Sequence, residues 1–193
     1  MLTQLSTIKT RLAIDPFDLK NDAILANALR AITARFDKET NRTLARTVNV
    51  IDEFAADETE IRVCSYPIET VTKFELKESE ATGWVEQIGT DFLIRHNCVL
   101  SLLLPFATYR AQARVTYTGG YVMPGTTAGA GQTPLPDDLE QAAVEQVSYW
   151  FQNRDKLGLM RNRPYLGTYE QFAQLDLLLS TAAVLKRYER MSF

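Results

Sequence analysis

Histidine is almost missing from this 193-residue chain: His96 is the only one, and cysteine occurs twice, as Cys64 and Cys98. That scarcity limits the available chemistry. A zinc site takes four ligands, or three and a water, usually in tight pairs. His96-x-Cys98 with the distant Cys64 falls short of that pattern, and is read as a strand side chain beside a thiol. A Ser–His–acid triad has one histidine to be built on, and no Gly-x-Ser-x-Gly elbow accompanies it. Cys–His catalysis depends on the same single residue. The expectation is a protein with no catalytic set, no metal and no cofactor. Two cysteines make no disulfide framework, so a reducing compartment is expected.

Long apolar runs are also lacking. The most apolar stretch, Val99 to Ala107, is about nine residues long and contains Ser101 and Pro105, whereas a bilayer span takes about twenty. Met1-Leu2-Thr3-Gln4 leads into a mixed polar pattern rather than a basic start and an apolar run, so neither a secretory signal nor a membrane partner is expected.

Charge itself is absent from one long segment. Between Arg114 and Asp137 there is no charged side chain, and five of the nine glycines lie there. Gly129-Ala130-Gly131 invites a dinucleotide reading. It lacks a third glycine and a βαβ context, and Pro134 and Pro136 precede the helix. No Gly-Lys-Ser/Thr is present to grip a phosphate. Asp137 and Asp138 resemble an acid pair, but neighbours on a helix point about 100° apart. Their place in a first helical turn, where the dipole is positive, accounts for them.

What remains is ordinary globular composition, with 46% apolar and 23% charged residues. The net charge of -3 is unevenly spread. Residues 1–46 carry eight basic and five acidic side chains, and residues 47–123 carry six and eleven. Residues 124–153 carry none and four, and residues 154–193 carry seven and four. Basic ends around an acidic middle fit contact between copies, or two different protein partners.

Periodicity predicts the elements. Leu5, Ile8 and Leu12 mark a first helix with Thr3 as its N-cap, broken at Asp15-Pro16. A second helix starts near Asp18, buries Leu25, Leu29, Ile32 and Phe36, and stops at Asn41. From Thr47 the period becomes two. Val48 and Val50; Ile61 and Val63; Val71, Phe74 and Leu76; Phe92 and Ile94; and Ala113, Val115 and Tyr117 mark short strands, separated by turn signals at Asp57-Glu58, Tyr66-Pro67, Thr82-Gly83, His96-Asn97 and Pro105. Too little chain separates them for crossover helices, so the sheet is antiparallel. Pro136, read as the first helical residue, opens a helix that buries Leu139, Ala143, Val147 and Trp150. A last helix runs from about Tyr169 with Phe172, Leu175, Leu179, Ala182 and Leu185 on its buried side.

The fold class is therefore α+β: a helical bundle of N- and C-terminal helices with an inserted antiparallel β block. Residues 1–46 form the N-terminal helices and 47–123 the β region. Residues 124–136 form a flexible loop, and 137–193 form C-terminal helices packing on the N-terminal ones. An uncharged loop of that length is expected to order at an interface with a neighbouring copy or another protein.

Arg154, Lys156, Arg161 and Arg163, interleaved with Tyr165 and Tyr169, read three ways: a solvated connection, a phosphate- or base-contacting stretch, or a docking arm, since Arg and aromatic residues anchor interfaces. The last residues have the same character. Arg161, Arg163, Tyr165, Tyr169, Tyr188, Arg190 and Phe193 are the candidate partner-interface residues.

Several local patterns occur in a meaningful order. A Leu-x-x-x-Lys-x-Arg-Leu helix, Leu5 to Leu12, precedes an Asp-rich break. Thr40-Asn41-Arg42 ends the next helix. Tyr66-Pro67-Ile68-Glu69-Thr70-Val71 and Val115-Thr116-Tyr117-Thr118-Gly119-Gly120-Tyr121 lie in the β block. Pro136-Asp137-Asp138-Leu139-Glu140-Gln141-Ala142 opens a helix that reaches Tyr149 and Arg154. Over roughly residues 2 to 155 this order resembles the head–tail connector (adaptor) proteins of tailed bacteriophages and related prophage or gene-transfer particles. The resemblance implies a structural virion protein located in the neck and assembled in the host bacterial cytoplasm. It implies a subunit of a cyclic ring of about a dozen copies. Such a ring docks beneath the portal protein, extends the DNA channel and joins the head to the next neck or tail protein. Double-stranded DNA would pass through without sequence-specific binding. Tyr117, Gly119, Gly120, Tyr121, Pro136, Asp138, Leu139 and Ala142 are then structural motif residues. A head-closure or tail-completion protein is an alternative, as is a nucleic-acid-binding module using the basic 154–169 stretch.

Overall fold

In the computed structural model, residues 1–108, 110–156, 161–162, 170–171 and 176–190 are described. Among them the helices are α1 (Leu5–Arg11), α2 (Asp22–Glu39), α3 (Asp137–Gln152) and α4 (Leu179–Arg187). The strands are β1 (Thr47–Ala55), β2 (Glu60–Arg62), β3 (Ile68–Lys77), β4 (Val85–Glu86), β5 (Phe92–Arg95), β6 (Val99–Leu102), β7 (Gln112–Gly119), β8 (Arg161–Asn162) and β9 (Glu170–Gln171). The fold is α+β, with helices toward both ends of the chain and an antiparallel β block between them. The chain divides into a helical unit, Met1–Thr40 with Leu135–Glu189, and a β unit, Asn41–Pro134 with Arg190–Phe193.

In the helical unit, α1, α2 and α4 all pack on α3. Helix α2 buries Leu25, Leu29, Ile32 and Phe36, the stripe its period requires. Helix α3 buries Leu139, Ala142, Ala143, Val144 and Val147, a face wide enough to meet several helices, while Trp150 at its edge is only half-buried. Three expectations are corrected at helix ends. The N-cap of α1 is Gln4, not Thr3, whose hydroxyl instead donates to Glu140 Oε1 at 2.8 Å. Helix α2 begins at Asp22 rather than Asp18, because the Asp18 carboxylate accepts the Lys20 N–H at 2.9 Å and holds a turn. Pro136 is the N-cap of α3, with extended ψ of 138°, not its first helical residue.

Helix α4 also differs from its predicted face. Its start at Leu179 leaves that leucine 90% exposed and Ala182 exposed. Thr181 and Leu185 are the buried pair, because the stripe runs through Leu178, Thr181, Leu185 and Tyr188 at helical spacing. Phe172 and Leu175 lie outside the described residues.

In the β unit, one sheet has the order β1-β7-β3-β4 and a second the order β2-β6-β5, and every strand pair is antiparallel. The first and last strands of the block, β1 and β7, lie side by side, with Ile51 opposite Thr116. The core draws on both sheets: Phe74, Val115 and Tyr117 from one, Ile61, Leu100 and Leu102 from the other. Phe74 meets Phe92 edge-on with centroids 5.4 Å apart, and Phe106 at 5.6 Å. Strand β6 covers the start of the apolar run, with Leu100 and Leu102 buried and Val99 and Ser101 half-buried. The turn signal at His96-Asn97 is matched in the structure, and His96 is therefore not a strand side chain. With Asn97 it makes the β5–β6 turn, at φ of 49° and 56°, and is exposed.

The uncharged connection has local structure. Val122 N–H donates to the Thr133 carbonyl at 2.8 Å, and a bridge pairs Val122 with Pro134 at its base. Gly129 N–H donates to Gln132 Oε1 at 2.9 Å, and Gln132 N–H donates back to the Gly129 carbonyl at 3.1 Å, closing a turn. Among the described residues, no helix is long and apolar enough to cross a membrane.

Candidate assembly interface

Three separated sequence patterns meet at one place in the β unit. Asn41, at φ 50°, ends the helical segment, and Arg42 follows it into the β unit with 4% of its surface exposed. The Arg42 guanidinium lies 3.2 Å from the centroid of the Tyr66 ring and 5.2 Å from that of Tyr121, and it donates to the Tyr66 carbonyl. Stacking on two rings compensates a cation drawn out of water. Gly120 N–H donates to the Pro67 carbonyl at 2.9 Å, and Tyr121 N–H to the Leu44 carbonyl at 2.8 Å. The backbone passes so closely that only glycine fits at two positions. A Cβ on Gly119 would collide with the Ser65 carbonyl oxygen, and one on Gly120 would lie 2.6 Å from that of Ala45, where φ is also 101°.

Tyr117 belongs to the same junction. Its ring is fully buried. Its hydroxyl donates to Asp52 Oδ2 at 2.8 Å and accepts the Ser65 N–H at 2.9 Å. Asp52 Oδ2 also accepts the Cys64 N–H at 2.6 Å. Burial pushes the Tyr117 phenol far above its usual value, with Cys64 and the Asp52 charge adding to the effect. Burial likewise pushes the Cys64 thiol up, helped by Asp52. Both shifts favour the neutral forms, in which the two groups make their hydrogen bonds.

The remaining motif residues sit at the start of α3. Asp138 Oδ1 accepts the Leu139 N–H at 2.9 Å and the Tyr188 hydroxyl at 2.7 Å. Leu139 and Ala142 are core. Sequence reasoning missed Gln146, which is fully buried on α3. Its Nε2 donates to the Asp176 carbonyl at 3.2 Å and its Oε1 accepts the Leu178 N–H at 2.8 Å, fixing the entry to α4. Its only sequence signal is its position between Ala143 and Val147 on the buried face.

Of the candidate partner-interface residues, Arg163, Tyr165, Tyr169 and Phe193 lie outside the described residues, and Arg161 is described only by its backbone pairing with Gln171. Tyr188 is half-buried and bonded to Asp138 within the helical unit. Arg190 donates to the Arg62 carbonyl at 2.6 Å within the β unit. The described side chains of this set thus make intramolecular bonds.

The surfaces left over are of two kinds. On the four-stranded sheet, Arg114 forms a two-bonded pair with Glu75, at 2.8 and 3.1 Å, beneath the Trp84 ring. The Arg114 guanidinium holds the Glu75 carboxyl below the ordinary carboxylate value, against the opposing effect of burial. A cleft of about 370 Å³ lies beside it, lined by Lys77, Glu78, Glu80 and Arg110, both signs together. The second kind is apolar. Phe17 and Leu19, in the break between α1 and α2, are 90% and 73% exposed. On the β unit Leu93, Leu103 and Leu104 are also exposed. The sequence signal for Phe17 and Leu19 is that they interrupt an Asp-rich turn. Among the described residues, no three His, Cys, Asp or Glu side chains are grouped as a metal ion requires.

No family model matches the chain, and no curated protein does. Its fold is similar to that of a chain in the solved neck of an empty GTA (gene-transfer-agent) particle computed with C6 symmetry. The two share 18% sequence identity at a TM-score of 0.60, over 97% of this chain and 89% of the other.

Proposed function

We propose that the chain is a structural subunit of the neck of a tailed-phage-like or gene-transfer particle, an adaptor ring component that joins the head to the next neck or tail protein. The observation that carries this reading is the shared fold with a GTA neck chain over nearly the full length of both. A shared substructure would leave much of one chain unmatched. The chemistry supports the same reading. Arg42, Tyr117, Gly119, Gly120 and Asp138 are all engaged in internal contacts of their own units. The C6 symmetry stated for the neighbour suits a ring of six copies or a multiple, and a ring of about a dozen fits it. In this proposal the ring docks beneath the portal protein, surrounds passing duplex DNA without reading its sequence, and presents its far face to the next protein. The acidic 47–123 and 124–153 segments would not hold the phosphate backbone.

Copies per purified particle, counted by quantitative mass spectrometry against the major capsid protein, test the reading. About a dozen copies per head supports it. Absence from particles, with the protein recovered in the soluble fraction, overturns it.

A further inference from the structure

We infer that the loop between β7 and α3 is a latched strap. Gln132 ties its tip, residues 125–131, to Glu69 of β3, and the tip opens as a unit while the rest of the β unit stays folded. The inference concerns this chain alone and does not rest on the neck reading.

The fixed side of the latch is an ion pair. Arg46 donates twice to the Glu69 carboxylate, at 2.7 and 3.1 Å, and the Arg46 N–H donates to the Tyr121 carbonyl at 2.8 Å. The moving side is one residue. The Gln132 side chain hydrogen-bonds the Glu69 carboxylate. Gln132 Oε1 already accepts the Gly129 N–H at 2.9 Å, so its amide NH2 is the donor to Glu69. A single side chain thereby closes the tip on itself and ties it to β3. Glu69 and Gln132 are both half-buried, and a bond from an amide to a carboxylate is among the stronger kinds.

The tip has little else to hold it. Residues 125–131 bury no side chain. Their remaining backbone bonds are local: Thr126 N–H to the Met123 carbonyl at 3.2 Å, and Gln132 N–H to the Gly129 carbonyl at 3.1 Å. Gly125 and Gly131 stand at the two ends of the tip with φ of 92° and 80°, a region where glycine moves at no steric cost. Opening stops at the base, because Val122 is buried and its N–H donates to the Thr133 carbonyl at 2.8 Å. A segment with exposed bonds, no core side chain and pivots at both ends belongs to the low-stability end of a fold, where local opening precedes global unfolding. Opening frees the Gly129 N–H and the Gln132 amide to bond elsewhere and disturbs no core side chain.

The experiment is amide hydrogen exchange of the full chain, read by mass spectrometry on peptides covering residues 122–134, β3 and β7. Wild type is compared with Gln132→Ala, which removes both side-chain bonds, and with Glu69→Ala, which removes the tether and leaves the bond to Gly129. Gln132→Ala is expected to speed exchange in the tip about tenfold, the loss of one or two such bonds. Exchange in β3 and β7, and the urea midpoint, should match wild type. Glu69→Ala should speed the tip as well, but less. A tip that exchanges at the rate of an unstructured peptide in the wild type overturns the proposal, because there is then no latch. An unchanged tip in either variant overturns it too. So does Gln132→Ala acceleration that spreads into β3 and β7, which would make the loop part of the β unit's own packing.

Discussion

The Tyr117 hydroxyl donates a 2.8 Å hydrogen bond to Asp52 Oδ2, tying the centre of β7 to its neighbour β1 from inside the core. The same oxygen accepts the Ser65 N–H, and Ser65 is fully buried. Tyr117→Phe keeps the ring and removes the bond, leaving the Ser65 N–H without an acceptor. A buried donor stripped of its partner costs about 1–3 kcal/mol. The variant is expected to unfold at lower urea with the slope unchanged, followed by circular dichroism. An unshifted midpoint would mean that the hydroxyl is not needed to hold residues 64 and 65.

The two glycines after Tyr117 are expected to tolerate alanine poorly. Gly120→Ala adds a Cβ 2.6 Å from the Ala45 carbonyl oxygen at a φ of 101°. Strain and overpacking each cost about 1–3 kcal/mol. Gly131→Ala is the control: its φ is 80°, but nothing lies within 4 Å of the added carbon. It should lose only the conformational term, about 1–2 kcal/mol. Comparing urea midpoints separates the two, and equal losses would remove close approach as the reason for glycine at 120.

Helix α2 and strand β7 could be read because one apolar face repeats at a fixed period along each, and β1 and β3 from their β-branched and aromatic residues despite register shifts at Thr47/Val50 and Val71/Lys73. The fold class followed from them. Strand β6 escapes the sequence because its four residues lie inside a longer apolar run, whereas the His96-Asn97 turn is legible as the break that follows the Phe92 and Ile94 pattern. The motif residues could be found as a set, but their meeting could not. Arg42, Tyr66 and Tyr121 are joined by strand pairing between distant segments, which no local signal encodes. Lys9 was hidden for a different reason. A lysine on an amphipathic helix reads as solvated, and its burial depends on the Pro16 and Asp18 carbonyls of the following turn and on the Asp22 carboxylate at the start of α2.

Acid should weaken the Glu75–Arg114 pair in a defined window. The Arg114 hydrogen bonds depress the folded Glu75 pKa below its ordinary 4.5, with Lys73 contributing a further bond. A depressed carboxylate adds stability that is fully present above the unfolded pKa and is lost as pH falls through the folded one. Glu75→Gln keeps the shape and removes the titration. The stability gap between wild type and variant should be constant from about pH 7 to 6, then close below about 4.5. Urea midpoints across that range measure it. Glu69, held down in the same way by Arg46, is unchanged in both proteins and cancels. A gap that stays constant to the lowest pH would show that the pair contributes no charge-dependent stability.

The loop between β7 and α3 should matter to assembly more than to folding. Its base is closed by the Val122–Thr133 bond and the bridge to Pro134. Residues 125–131 beyond it are exposed or half-exposed and bury no apolar side chain. Deleting residues 125–132 removes a stretch that no core residue depends on, and shortening a surface loop changes closure entropy by only about 0.6 kcal/mol per halving. The melting temperature should therefore stay within a few degrees of wild type, read by calorimetry. If the loop packs against a neighbouring copy, copies per head should fall together with recovery of tailed particles. A large drop in melting temperature would instead make the loop part of the β unit's own packing, with Gln132 and its bond to Gly129 as the first place to look.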